Sequence, residues 1–153
     1  MLLYFAGPLF SQAERSFNQQ LTDKIEALGY QVFLPQRDGV ERNRPPYDSM
    51  PPDDRRRARF AVDKDHVLAC DVFLFILDGR VPDEGACVEL GIAYCQKELQ
   101  QPSKRLVGLH TDARVAFPGG ALNTMVGVPL EHVAKTEDEL MERLRIYAAI
   151  IRG

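Results

Sequence analysis

Short apolar runs alternate with longer amphipathic stretches along this chain. "LLYFA" at 2–6 is apolar throughout and is ended by Gly7-Pro8, the pattern of a buried strand followed by a turn. From 12 to 28 the spacing changes. Ala13, Phe17, Leu21, Ile25 and Leu28 recur every three or four positions, which predicts a helix, and Gly29 supplies its C-terminal stop. "YQVFLP" predicts a second strand, stopped by Pro35. Residues 36–53 hold four of the ten prolines and many charges, and they read as one long loop. Loops of that length in compact domains are usually functional or mobile.

The alternation then resumes. A helix is expected over about 55–69, a strand over 71–77, a loop over 78–83 and a helix over about 84–99. "KRLVGLH" predicts a fourth strand, and 111–120 a loop ending in "FPGG". "ALNTMV" predicts a short helical piece and "LEHVA" a fifth strand. In the last helix, "TEDE" has the form of a capping box, with Thr136 as N-cap and Glu139 three residues on. Leu140, Leu144, Tyr147 and Ile151 give that helix its apolar stripe.

Strands alternating with helices imply a parallel sheet covered on both faces. The expected architecture is α/β: a flavodoxin-like (Rossmann-like) three-layer sandwich with five parallel strands, one domain over 1–153. Such sheets bind ligands beyond the carboxyl ends of their strands. The rule points to the turn after Phe5, the loop after Leu34, the loop 78–83 and the loop after His110.

Composition narrows the functional classes. A net charge of −3 gives no basic footprint for nucleic acid. The run "RRRAR" at 55–59 follows "DD", and reads either as a solvated helix start or as an arginine cluster for a phosphate. Cys70, Cys87 and Cys95 fit no metal spacing and leave an odd thiol, which suits buried residues in a reducing compartment. "MLLYFAGPLF" lacks the charged start of a signal peptide, and no apolar stretch approaches the ~20 residues of a membrane helix. A cytoplasmic protein without a membrane partner is expected.

The chemistry gathers in "DGRVPDEGACVELGIAY" at 78–94. At 100° per residue, Gly85, Ala86, Ile92 and Ala93 all lie within about 60° of Glu89. Glu89 therefore shares the face that should touch the sheet, where an unpaired carboxylate is costly. Gly85 clears space one turn before it. Glu89 is either an edge residue that reaches water or binds a core polar group, or an acid at the mouth of a pocket above the strand ends. Asp83 reads as the helix N-cap, or as a second acid for the same pocket. Asp78 reads as a turn residue before Gly79. Asp63 sits beside Phe60 and Val67 on the edge of its helix's apolar stripe, while Asp65 points to solvent.

Several carboxylates around one concavity, without Cys/His metal ligands, suggest divalent-cation binding or acid and nucleophile work at a glycosidic carbon. No GxxxxGK[ST] is present, and "AGPLFS" is not a GxGxxG, so the phosphate cradle that would accompany magnesium is missing. The glycosidic reading is favoured.

Three segments in order then resemble the nucleoside 2-deoxyribosyltransferases: "YFAGPLFSQAER", "DGRVPDEGACVELGIA" and "LNTMV". The second resembles the family's D-G, P-D-x-G and E-[LIV]-G-x-A pattern. The resemblance spans nearly the whole chain and implies site roles. The nucleophile falls on Glu89, a second acid on Asp83 and a helical acid on Asp63. The aromatic at the end of the first strand falls on Tyr4, beside the small-residue turn at Gly7. Gln36 falls where some members contact the base. Asp78, Gly85 and Met125 lie within the matched segments and are expected at the substrate. Asn123 matches an asparagine that reaches the sugar 5′-hydroxyl in a neighbouring subunit's site, which implies a homo-oligomer. The implied partners are 2′-deoxynucleosides and free nucleobases, with no metal and no cofactor. A hydrolase of (deoxy)nucleoside 5′-monophosphates, with Ser11 and Arg15 on the phosphate, is the nearest rival. A sensing module without turnover and a magnesium-dependent enzyme are more distant ones.

Overall fold

The computed structural model describes residues 1–112 and 122–152. Five strands, β1 (Leu2–Ala6), β2 (Gln31–Phe33), β3 (Val72–Ile76), β4 (Arg105–Leu109) and β5 (His132–Ala134), form one sheet in the order β2-β1-β3-β4-β5. Every pairing is parallel. This is the flavodoxin-like order, whose topological switch point lies between β1 and β3.

Side-chain alternation along the strands divides the core in two. Leu3 and Phe5 of β1 face α1 (Gln12–Ala27) and α6 (Glu137–Arg152), through Leu21, Ile25, Leu140 and Leu144. Tyr4 and Ala6 face the opposite way, onto α3 (Pro52–Ala69) and α4 (Glu84–Leu99), through Val67, Ala86, Leu90 and Ala93. The three-layer arrangement results from this period of two on a sheet buried on both faces.

The long loop expected over 36–53 is not one loop. α2 (Pro35–Asp38) and a 3-10 turn over Tyr47–Ser49 interrupt it, and α3 begins at Pro52. The prolines account for the difference. Pro35 and Pro52 each occupy the first turn of a helix, where the missing N–H costs nothing and the fixed φ helps. The Asp38 carboxylate accepts the Leu34 N–H at 2.9 Å and closes α2 from its far end. A complete capping box lies in "SQAE", where none was expected. Glu14 N–H donates to Ser11 Oγ, and Glu14 Oε2 accepts the Ser11 and Phe10 N–H groups at 2.7 and 2.9 Å.

At the entry to α6, Glu139 N–H donates to Thr136 Oγ1, but the Glu139 carboxylate accepts from Lys135 N–H rather than from Thr136's own. The expected loop 111–120 lies beyond Asp112 almost entirely outside the described residues, as does Ala121 of the expected helical piece. The remainder of that piece is α5 (Thr124–Gly127), capped by Asn123.

Lys104, just before β4, is a fully buried cation. It donates to Val67 O at 2.7 Å and Leu68 O at 3.3 Å, with Cys70 Sγ at 3.3 Å. The ammonium sits on carbonyls of α3's last turn, where the helix dipole is negative, and this offsets its desolvation. Among the described residues no helix is long and apolar enough to cross a membrane.

Candidate active site

A cavity of about 460 Å³ opens at the β1/β3 switch point. Its wall draws on the turn after β1, the start of α2, the following segment at Val40 and Glu41, the middle of α3 and the first two turns of α4. Asp63, Asp83 and Glu89 all line it, with Gly7 and Gly85. These come from three separate parts of the chain.

Gly7 allows the turn. A Cβ there would lie 2.8 Å from Ile76 Cβ, at a φ of +154°, so only glycine lets β1 leave the sheet this close to β3. Asp83 caps α4 through Ala86 N–H at 2.8 Å, with one carboxylate oxygen held as a backbone acceptor. A Cβ on Gly85 would stand 3.2 Å from that same oxygen, so the glycine keeps the cap and the cavity clear of each other.

Glu89 reaches back toward the sheet and accepts a hydrogen bond from the Tyr4 hydroxyl, Oη to Oε1 2.7 Å. Tyr4 is fully buried and stacked between Phe33 and Phe73, with ring centroids 5.5 and 5.7 Å away. Its phenol is thereby fixed in orientation toward Glu89. Burial, and then the negative charges of Glu89 and Asp63, raise the Tyr4 hydroxyl far above its ordinary range, so it remains a donor. Burial is also the largest influence on Glu89, whose carboxyl is pushed up to about 7. The Tyr4 hydrogen bond opposes that rise, and the charges of Asp63 and Asp83 add to it. Asp63 is raised to about 6 by burial, against the pull of Arg59 and His66. Its Oδ1 is enclosed and has no hydrogen-bond partner among the described residues.

The other residues singled out in the sequence stand elsewhere. Gln36 is engaged in packing. Its Nε2 donates to Arg15 O at 2.8 Å and its Oε1 accepts from Asn18 at 3.2 Å, which ties α2 to α1. Asp78 closes the loop after β4, accepting from Thr111 N–H and Oγ1 at 2.6 Å and from Asp112 N–H at 2.9 Å. Asn123 turns its side-chain oxygen onto Met125 N–H at 2.9 Å, both residues are exposed, and neither lines this cavity. Conversely, Phe10, Arg15, Val40, Glu41 and Arg59 line the cavity, and of these only Arg15, and Arg59 as part of the arginine run, stand out in the sequence as ligand contacts. Phe10 is 79% exposed at the rim, and an aromatic beside a glycine turn was the available signal.

The "RRRAR" run divides. Arg56 and Arg57 are solvated, 3.9 and 3.8 Å from Asp53 and Asp54. Arg55, half-buried, and Arg59, still exposed, bond backbone carbonyls of the 36–53 segment. Among the described residues no group of three or more His, Cys, Asp or Glu side chains is placed to hold a metal ion. The arrangement offers two half-buried carboxyls whose protons are both retained toward neutral pH, Glu89's more tightly than Asp63's, with Glu89 held by a permanent donor. That pair suits nucleophilic and acid–base chemistry at an acetal-like carbon.

The chain is similar to known structures. A conserved protein from Enterococcus faecalis V583 matches with a TM-score of 0.75 and 27% identity, over 95% of this chain and 98% of that one. A 2-deoxyribosyltransferase from the psychrotolerant bacterium Bacillus psychrosaccharolyticus matches with a TM-score of 0.72 and 19% identity, over 92% and 90% respectively, a likeness of fold. No curated protein matches the chain significantly. The family model described as nucleoside 2-deoxyribosyltransferase matches residues 3–141, nearly the full length. The chain belongs to the nucleoside 2-deoxyribosyltransferase family.

Proposed function

We propose that the protein transfers the 2-deoxyribosyl group between nucleobases of 2′-deoxynucleosides, with some hydrolysis to free base and deoxyribose. The observation that carries this reading is the Glu89 carboxylate, held by Tyr4 inside a cavity that Asp63 and Asp83 also line.

The chemistry balances as two displacements. A Glu89 oxygen attacks the anomeric carbon as the C1′–N bond breaks, through an oxocarbenium-like transition state. The bonding pair leaves on the base nitrogen, which takes a proton from Asp63. A 2-deoxyribosyl ester of Glu89 remains. An incoming base then attacks C1′ through its ring nitrogen, the ester bond breaks, Glu89 regains its carboxylate, and the proton released returns to Asp63. Two inversions give retention, as in glycosidases that use a carboxylate nucleophile. Water in place of the second base gives hydrolysis. A sugar without a 2′-hydroxyl forms the cation more readily, which supports a deoxy preference. The rise of Asp63 toward neutrality supports its role as the acid. Asp83 keeps its place by capping α4 and adds negative charge beside the developing cation.

Asn123 and Met125 lie outside the cavity in this chain, and we place them in a neighbouring copy's site within a homo-oligomer. Light scattering on the wild type and activity of Asn123→Ala test this: a fully active monomer sinks the shared-site reading.

A second reading, hydrolysis of deoxynucleoside 5′-monophosphates, is favoured by Arg15, which lines the cavity and has no ion-pair or side-chain hydrogen-bond partner among the described residues. Against it, the N–H groups of Phe10 and Ser11 that would cradle a phosphate at the start of α1 are already occupied by Glu14. Incubating thymidine with adenine, and dTMP alone, separates the two. Deoxyadenosine formed from the first mixture supports transfer, whereas thymine released only from dTMP overturns it.

A further inference from the structure

One wall of the cavity is not explained by its acids. Val40 and Glu41 line it, and Val40 is only 3% exposed. This segment lies outside any helix or strand and is held in place by α3. Arg59 Nη2 donates to Val40 O at 3.1 Å. Arg55, one turn earlier on the same helix face, donates to Tyr47 O at 2.9 Å and Met50 O at 2.6 Å. Asp63 lies one more turn beyond Arg59. The helix that carries the acid opposite the leaving base therefore also carries the clamps that fix this wall, and the two are in register by construction.

Glu41 is the polar group that the clamped wall presents. It lines the cavity, it is half-buried, and its carboxylate has no hydrogen-bond or ion-pair partner among the described residues. Gln36, the other polar side chain expected to meet the base, has both ends of its amide engaged in holding α1 to α2.

An ionised carboxylate accepts hydrogen bonds and donates none. Nucleobases differ in what they offer it. Guanine presents N1–H beside an amino group, and adenine and cytosine present exocyclic amino groups. Thymine and uracil present a single N3–H flanked by two carbonyls, whose lone pairs face the carboxylate and repel it. A site that hydrogen-bonds a donor discriminates strongly against a ligand that lacks it, because its own polar group is then left unpaired.

We propose that Glu41, on the wall clamped by Arg59, is the base-selecting residue of this site and favours bases that carry an amino group over thymine and uracil. The proposal rests on the reading of the cavity as a nucleobase site. Arg59 acts as a positioning residue, through the wall.

The test compares kcat/KM for base release from deoxyadenosine and deoxycytidine with that from thymidine and deoxyuridine, in wild type, Glu41→Gln and Arg59→Met. The wild type is expected to prefer the amino-bearing pair. Glu41→Gln, whose amide both donates and accepts, should lower that preference about tenfold or more, mainly through KM. Arg59→Met should lower it in the same direction while the Tm of unfolding changes little, which a merely structural role would not do. An unchanged ratio in Glu41→Gln overturns the proposal without touching the transferase reading. A second arm measures binding of free adenine, cytosine, thymine and uracil by ligand-observed NMR. Selective binding of the amino bases that is lost in Glu41→Gln, in a protein with no turnover, upholds the proposal and removes the transferase reading. Equal binding of all four bases in both proteins overturns the proposal.

Discussion

The Tyr4 hydroxyl meets the Glu89 carboxylate at 2.7 Å across 85 positions of sequence, from β1 to the second turn of α4. The donor is immobilised by stacking on Phe33 and Phe73, and the acceptor is half-buried beside two other acids. Removing the hydroxyl should therefore act on the ionisation of Glu89 more than on the fold. Tyr4→Phe keeps both ring stacks and deletes one charge-assisted hydrogen bond. The acid limb of kcat/KM should move to higher pH by about one unit, with activity at pH 6.5 reduced about tenfold. A pH–rate profile superimposable on wild type would refute this.

The site's two raised carboxyls predict a bell-shaped dependence of kcat/KM with apparent values near 6 and 7. The productive form needs Glu89 ionised and Asp63 protonated. Glu89 holds its proton more tightly, so that form is about a tenth of the singly protonated enzyme. In Asp63→Asn the alkaline limb should vanish for nucleosides with poor leaving bases. A nucleoside whose base leaves without protonation should lose less. Equal losses for good and poor leaving bases would remove Asp63 as the acid.

Glu89 also ties stability to pH. Its carboxyl is raised from 4.5 to about 7 in the folded protein, so the native state binds the proton more tightly than the unfolded chain. The associated stability is complete below pH 4.5 and is lost as pH rises through 7, by about 3 kcal/mol at most. Glu89→Gln keeps an acceptor for Tyr4 without the charge. Its Tm should exceed that of wild type at pH 8 and approach it at pH 5, while base exchange is abolished. A Tm difference independent of pH would contradict the burial of the charge.

Lys104 is a stability prediction far from the chemistry. Lys104→Met fills similar volume but strands the Leu68 carbonyl and leaves the Val67 carbonyl only the weak Cys70 thiol donor at the end of α3. Each buried orphan acceptor costs about 1–3 kcal/mol, so the Tm should fall by roughly 5–15 °C. Thermal unfolding monitored by circular dichroism measures it, and a fall under about 2 °C would show that water can replace the ammonium.

The legibility of the site tracked the range of the interactions. Glu89 stood out because helical periodicity places it on the sheet-facing side, a matter of local geometry. Asp83 was visible as a cap for the same reason. Asp63 was a candidate from its edge position on the helix, with an ordinary solvated alternative, and the resemblance supplied its role. Gln36 shows the reverse case. Resemblance placed it at the base, and the structure engages both ends of its amide in joining α1 to α2. Val40, Glu41 and the clamp of Arg59 on Val40 left no periodic trace, because the segment that Arg59 holds repeats nothing.

Local signals in the chain were enough to establish the strand–helix alternation and the parallel sheet. They were also enough to single out a helix whose sheet-facing side carries an acid. Those features depend on side-chain period and on turn and cap residues close together in the chain. Folding in three dimensions was needed to establish which strands are neighbours, that β1 and β3 part at a cavity, and that Tyr4 donates to Glu89 there. The same holds for the division of the arginine run into two solvated cations and two clamps. Most of these depend on contacts between segments far apart in sequence, and the arginine clamps on a loop without periodicity, so the chain carries no local signal for either.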